Sequence, residues 1–213
     1  EKGSVTRGWL GILIQEVSQE LAESFGMDKP RGALIAKIVK DGPADKSGLE
    51  VGDIITKFGK IDIERSSDLP PLVGSTEIDK KIPIEVVRGG TKRVLSVKIG
   101  QLPVEEETEE VLGLEERSSL EIEKLGLTAR ELTKSQMKEL AVESGAILVE
   151  KVGSGPAFDA GLRRGDLILK FNNQNISSLE EIEKISKSLD SGMKVPILIK
   201  RRGGQLFIVI SIP

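Results

Sequence analysis

The chain contains no histidine and no cysteine, and these absences exclude several functions. Without histidine a Ser-His-Asp triad cannot be built from these residues, and the usual general base near neutral pH is missing. Without either residue, structural zinc and most transition-metal sites are excluded, so we expect no metal and no cofactor. A Ser-Lys dyad stays open on composition, although no spacing points to one. The sequence therefore predicts that this chain is not itself an enzyme.

Aromatic residues are also scarce, at 3% with one Trp, five Phe and no Tyr. The core must then be built from Ile, Leu and Val, which favours strands. The net charge of −3 gives no reason to expect a nucleic-acid surface. No apolar run approaches the roughly 18 residues that indicate a membrane span.

A long internal repeat organises the sequence. Residues 32–63 read GALIAKIVKDGPADKSGLEVGDIITKFGKIDI, and residues 145–176 read GAILVEKVGSGPAFDAGLRRGDLILKFNNQNI, a constant offset of 113 (145 − 32). Further along, Arg88-Gly89-Gly90 resembles Arg202-Gly203-Gly204 at an offset of 114 (202 − 88). Two repeats of this length indicate two copies of a domain. We predict a first domain over residues 1–102, an acidic linker over 103–117 and a second domain over 118–213.

Each repeat predicts the same order of elements: strand, short helix, strands, helix, hairpin. Pro43 and Pro156 stand where a short helix begins, and Gly48 and Gly161 stand at the left-handed position after it. Ser178 opens a capping box for a longer helix in the second repeat. The predicted fold class is mainly β with α, namely two small antiparallel β-sandwiches or open barrels, each with two helices.

The signature Gly-Pro-Ala, Gly-Leu and Gly-Asp-Ile-Ile, which ends in Gly-Asp-Leu-Ile in the second repeat, resembles that of PDZ domains, which bind peptides. The opening segment Arg7-Gly8-Trp9-Leu10-Gly11-Ile12 and the tandem arrangement resemble the PDZ region of bacterial HtrA (Do-like or Deg) serine proteases. A PDZ domain adds an extended peptide to a sheet edge and holds its terminal carboxylate with backbone amides. Glycines suit such a loop because it needs unusual backbone angles. The resemblance implies a peptide site in the first domain at Arg7, Gly8, Trp9, Leu10, Gly11, Ile12, Ile14, Leu69, Leu72 and Val73.

The second domain departs from this pattern, since Glu123-Lys124 stands in its loop and no Arg precedes it. A glutamate beside a carboxylate site repels the ligand, so we expect weaker binding there. Trp9 has two open interpretations, a packing residue or a residue that touches the peptide end. The resemblance implies a second, weaker groove at Lys124, Leu125, Gly126, Leu127, Ile182, Ile185 and Leu189.

The resemblance implies a function in protein quality control in the bacterial periplasm. The expected partners are peptides or unfolded proteins and the chain's own protease domain, with the catalytic triad upstream of residue 1. The parent is expected to be a trypsin-like endopeptidase and a homo-oligomer, without nucleic-acid partners. The alternative is a PDZ scaffold of a non-protease envelope or secretion assembly.

Overall fold

The computed structural model of the protein describes residues 8–101, 119–142, 145–202 and 204–213. The chain forms two compact units, Glu1–Glu106 and Glu107–Pro213. The predicted linker over 103–117 lies outside the described residues, as does Arg7. Within the described part of the chain, no helix has both the length and the apolar character needed to cross a membrane.

The first unit is built on one six-stranded antiparallel sheet in the order β2-β3-β4-β6-β7, with β5 paired to β4. A separate two-stranded sheet joins β1 to β8. Helix α1 follows β2, helix α2 precedes β6, and single 3-10 turns span Asp45–Ser47 and Ser66–Asp68. The bounds are β1 (Gly8–Trp9), β2 (Ile12–Glu16), α1 (Gln19–Ser24), β3 (Ala33–Ile38), β4 (Ile54–Phe58), β5 (Ile61–Asp62), α2 (Leu69–Gly74), β6 (Lys81–Arg88), β7 (Thr91–Lys98) and β8 (Gly100–Gln101).

The second unit repeats this plan in a seven-stranded sheet, in the order β15-β14-β12-β11-β10-β9 with β13 paired to β12. Strand β9 lies outside β10, and among the described residues of the first unit no strand lies at the corresponding edge of β2. The bounds are β9 (Leu120–Ile122), β10 (Leu127–Glu131), α3 (Lys134–Glu139), β11 (Ile147–Val152), α4 (Pro156–Asp159), β12 (Leu167–Phe171), β13 (Gln174–Asn175), α5 (Leu179–Ser188), β14 (Lys194–Arg201) and β15 (Gly204–Ser211).

The predicted fold class is confirmed: both units are mainly antiparallel β with short helices, and both cores are aliphatic. Gly48 and Gly161 take the left-handed conformation after their short helices, with φ of 80° and 79°. Helices α1 and α3, which follow β2 and β10, were not predicted from the sequence. A signal for α3 existed, because Thr133 and Gln136 form a capping box.

One step of the repeat alignment was wrong. Arg88 forms a bidentate ion pair with the buried carboxylate of Asp53, through Nε at 2.6 Å and Nη2 at 2.7 Å. Its counterpart is Arg201, which pairs with Asp166 in the same way at 2.7 and 2.6 Å. The offset of 113 therefore continues into the hairpin, and Arg202 occupies the turn position of a glycine. Asp53 and Asp166 are therefore the buried halves of two equivalent ion pairs.

Candidate peptide-binding groove

The first unit has a strand edge at β2, beside helix α2. β2 pairs with β3 on one side, and among the described residues no strand pairs with its other side. An open edge presents unpaired backbone groups that can accept a further strand. The position of β2 therefore provides the first requirement of a peptide groove.

The loop before β2 directs amides toward this edge. The carbonyl of Leu10 accepts a hydrogen bond from the Ala44 amide at 2.9 Å, and the carbonyl of Gly11 accepts one from Val39 at 2.8 Å. Because a trans peptide unit points its C=O and N–H in opposite directions, the amides of Gly11 and Ile12 point away from these partners. Among the described residues, none accepts a hydrogen bond from the Leu10 or Gly11 amide. Gly11 has φ of 74°, a conformation that disfavours any side chain.

An apolar cavity of about 190 Å³ lies between the loop, β2 and α2. A cavity of about 150 Å³ is large enough for benzene, so this one has room for one aliphatic or aromatic side chain. The structure brings eight of the ten predicted site residues together around it. They are Gly8, Trp9, Leu10, Gly11, Ile12, Ile14, Leu69 and Val73.

Two of the predicted residues do not line the cavity among the described residues, and one residue that lines it was not predicted. Arg7 lies outside the described residues. Leu72 packs against the core of the unit, and its carbonyl accepts a hydrogen bond from the Thr76 hydroxyl at 2.6 Å. Pro70 lines the cavity instead. It fits near the helix start because no intrahelical donor is lost in the first turn.

Gly8 contributes by close packing rather than by an unusual backbone angle. A Cβ at this position would lie 2.2 Å from the carbonyl oxygen of Val73 and 2.8 Å from that of Thr76. Only glycine therefore lets β1 approach the carboxyl end of α2. At the other end, Glu16 accepts hydrogen bonds from Ser66, at 2.9 Å from its amide and 2.5 Å from its hydroxyl. Contacts at both ends thus set the distance between β2 and α2 before any ligand arrives.

Trp9 is half-buried, and its ring lies against the loop. A Cβ on Gly11 would be 3.2 Å from Cη2 of Trp9 and 3.5 Å from Cδ of Pro43. The ring therefore covers the left-handed residue and also borders the cavity. Both interpretations of Trp9, packing and proximity to the peptide end, fit this position.

The second unit repeats the loop geometry but not the open edge. Gly126 has φ of 71°, the Leu125 carbonyl accepts from Ala157 at 2.9 Å, and the Gly126 carbonyl accepts from Gly153 at 2.9 Å. Leu125 and Gly126 are therefore the counterparts of Leu10 and Gly11. The outer side of β10 carries β9, so no bare strand edge is present at Leu127.

The other predicted residues of the second groove lie in or against the core. Leu125, Leu127, Ile182 and Leu189 belong to the buried apolar cluster, and Ile185 packs against it. The ammonium group of Lys124 donates a hydrogen bond to the Leu189 carbonyl at 3.0 Å. A second groove that accepts a free peptide stays a prediction.

The described residues contain no group of three or more Asp or Glu side chains arranged to hold a metal ion. Charge pairs near the sites have structural roles. The hydrogen bond with Asp53 raises the pKa of Arg88 above its usual value, and Asp166 does the same for Arg201. Both arginines therefore stay charged and hold the buried carboxylates next to the turns before β4 and β12.

Among the described residues, the first unit combines an open strand edge, a loop with amides directed toward it and an adjacent helix, and the second unit has the same fold. A family model described as PDZ domain matches residues 8–99 and 124–212. The chain belongs to the PDZ domain family and contains two copies of the domain.

Curated relatives show which PDZ-containing proteins this chain resembles. Over 210 residues, or 99% of this chain, the sequence is 43% identical to a "Probable periplasmic serine endoprotease DegP-like" of Ectopseudomonas mendocina. It is 39% identical over 212 residues to a protein of the same name from Hahella chejuensis. The chain spans 44% of the first relative and 45% of the second. The recognised resemblance to HtrA-type PDZ domains is confirmed.

Solved structures with similar parts include HtrA-type proteins. The HtrA-type protease AlgW with decapeptide is 36% identical, covering 49% of this chain and 32% of that one, with a TM-score of 0.45. The HtrA3 PDZ domain bound to a phage-derived ligand (FGRWV) is 21% identical, covering 46% of this chain and 88% of that one, with a TM-score of 0.40.

Proposed function

We propose that the first PDZ domain captures exposed, extended segments of other proteins by strand addition to β2, with a preference for an apolar residue at a free carboxyl end. The observation that carries this proposal is the coincidence of three features. Among the described residues, the β2 edge has no strand partner and the Gly11 amide has no acceptor, and a cavity for one side chain lies beside both. A peptide that ends in a free carboxylate can use all three.

The names of the relatives support a proposal for the role of the whole protein. Their names describe periplasmic serine endoproteases, so we infer that these domains belong to such a protease in the bacterial envelope. There they select unfolded or truncated proteins as substrates and regulate or assemble the protease. The parent is a homo-oligomer in this proposal. The alternative, a scaffold of a non-protease assembly, gains no support from these names.

Titration of the chain with a short peptide that ends in a branched aliphatic residue tests the proposal. Strand addition of about five residues buries little area and orders the peptide, so we expect micromolar affinity. Calorimetry measures the affinity, and Trp9 emission should change because its ring borders the cavity. The same peptide with an amidated carboxyl end should bind about tenfold or more weakly, because the charge-assisted hydrogen bonds to the loop are lost.

A matched pair of variants locates the site. Ile14 lines the cavity, whereas its neighbour Leu13 does not and is 43% exposed. Ile14→Ala removes three carbons from the cavity wall, which corresponds to about 1–2 kcal/mol of binding free energy, or about 5- to 30-fold in affinity. Leu13→Ala should leave the affinity within about twofold. Equal effects of the two variants, or no binding by any peptide of this class, would remove the proposed groove from consideration.

A further inference from the structure

The edge of the second PDZ domain is occupied by the chain's own residues. Strand β9 runs antiparallel to β10 and pairs Ile122 with Leu127, Glu121 with Thr128 and Leu120 with Ala129. The counterpart of β10 in the first domain, β2, carries no such strand among the described residues. The position of β9 is the one that an added peptide takes in strand addition.

The loop amides of the second domain are also occupied. The amides of Leu125 and Gly126 both donate to the carbonyl of Ile122, each at 3.0 Å. Their counterparts in the first domain, Leu10 and Gly11, have no acceptor among the described residues. The Ile122 carbonyl therefore takes the place in which a terminal carboxylate of a bound peptide is expected.

The side chain of Ile122 completes the correspondence. It is 2% exposed and belongs to the same buried cluster as Leu127, Ile182 and Leu189. A bound peptide places its last apolar side chain between the receiving strand and the neighbouring helix, here β10 and α5. Backbone pairing, carbonyl capture and burial of one branched aliphatic side chain are thus all provided by a single three-residue segment.

Polar contacts fasten this segment at both ends. Before β9, the hydroxyl of Ser119 is hydrogen-bonded to Glu150 on β11. Glu150 also forms an ion pair with the buried guanidinium of Arg130, with 2.9 Å between Nε and Oε1. After β9, Lys124 donates to the Leu189 carbonyl at 3.0 Å.

We propose that the second PDZ domain is a peptide site closed by a resident ligand, the segment Leu120–Ile122 of the same chain. A second peptide enters only after β9 leaves β10, and the segments that compete with it are extended and carry a branched aliphatic residue in the place of Ile122. The inference rests on the proposed function for what a groove of this kind binds. The docked state of β9 is a separate observable and does not depend on it.

The experiment uses two-dimensional amide NMR spectra of the intact chain, which report on each domain separately. The probe is a peptide that ends in Leu-Glu-Ile with a free carboxylate, which copies the resident segment. At peptide concentrations that just saturate the first domain of the unmodified chain, we expect shifts in that domain only. We also expect slower amide exchange at Leu125 and Gly126 than at Leu10 and Gly11. Exchange as fast in the second loop as in the first would contradict a docked β9.

Ile122→Ala weakens the binding of the resident segment to β10, so the peptide should cause additional shifts on β10 and α5. These shifts should appear at peptide concentrations at least tenfold below those that the unmodified chain requires. Glu121→Gln is the matched control, because Glu121 lies on the same strand and is exposed; it should leave the second domain closed. A folded Ile122→Ala variant without second-domain shifts overturns the inference and makes β9 a permanent strand of the sheet.

A reversible disulfide between β9 and β10 provides a second test in case the Ile122→Ala variant does not fold. Glu121 and Thr128 face each other across β9 and β10, at a Cα spacing that a disulfide spans, and the chain has no other cysteine. In the double variant Glu121→Cys and Thr128→Cys, excess peptide should shift the second domain when the pair is reduced and not when it is oxidised. No shifts in either state refute the inference. Shifts in the second domain without any in the first support it and reject the proposed function of the first domain.

Discussion

Replacement of Gly11 by alanine separates the role of the amide loop from general backbone strain. Gly11 has φ of 74°, and a Cβ there would lie 3.2 Å from Cη2 of Trp9. A left-handed conformation costs an L-residue about 1–2 kcal/mol. If the loop relaxes to a negative φ, the peptide unit before Gly11 rotates and its amide no longer points to the groove.

Gly48 provides a matched control in the same domain. Its φ is 80°, and a Cβ there would meet no atom within 4 Å. Gly48→Ala should therefore lower the free energy of unfolding of the first domain by the same 1–2 kcal/mol. Because Gly48 does not line the cavity, this substitution should leave the peptide affinity unchanged.

The two variants should differ in binding by at least tenfold. A hydrogen bond to a charged group contributes about 1.5–3 kcal/mol, so loss of one such bond at Gly11 weakens binding about 10- to 100-fold. Calorimetric titration with the peptide measures the affinity, and urea unfolding of each variant measures stability. If both variants lose affinity equally, strain of the domain and not the loop amide controls binding. Unchanged affinity in Gly11→Ala would refute the assignment of the loop.

Two further predictions concern stability. Arg88→Ala should destabilise the first domain by about 3–5 kcal/mol in urea, because it leaves the buried Asp53 carboxylate without its ion-pair partner. Asp62→Asn, in an exposed pair with Lys57, should cost at most about 1 kcal/mol, and equal effects of the two variants would contradict the structural role of the buried pair. Hydrogen bonds from the Ser177 amide, at 2.7 Å, and hydroxyl hold the pKa of Glu181 below its ordinary value of 4.5. The stabilisation from these hydrogen bonds is fully present above pH 4.5 and is lost as the pH falls through the lower pKa of the folded state. Glu181→Gln should therefore make the free energy of unfolding of the second domain less dependent on pH below 4.5. An unchanged pH profile would contradict this role of Glu181.

Local signals predicted the parts of the fold that depend on local backbone chemistry. Gly48 and Gly161 were expected in the left-handed conformation, and both adopt it. The capping box at Ser178 was expected to open a helix, and its hydroxyl accepts from the Glu181 amide at 3.3 Å. In these cases the conformation is decided within about four residues, so the sequence alone contains the information.

Nonlocal pairing was not predictable in the same way. Strand β9 has only three residues, which is too short for an alternating pattern, and it exists because β10 is beside it. The sequence analysis treated Glu123 as a group that would repel a ligand, whereas the structure shows the Ile122 carbonyl already bound at the loop. The ion pair of Asp166 with Arg201 was missed for the same reason, since 35 residues separate the two.

The two loops therefore have nearly equal geometry, and among the described residues only the second one is occupied, by the segment that precedes it. A turn of only four residues, 123–126, joins Ile122 to β10, so the resident segment acts at an effective concentration of about millimolar or higher. Against a site of micromolar intrinsic affinity, this tether raises the apparent dissociation constant of a free peptide about 1000-fold. The free peptide has one advantage, because it brings a carboxylate where the resident segment offers a neutral carbonyl, and charge-assisted hydrogen bonds are stronger. In the proposed arrangement, any event that pulls Leu120–Ile122 away from β10 removes the tether's advantage and opens the second site, which would then be a second peptide groove beside the one proposed in the first domain.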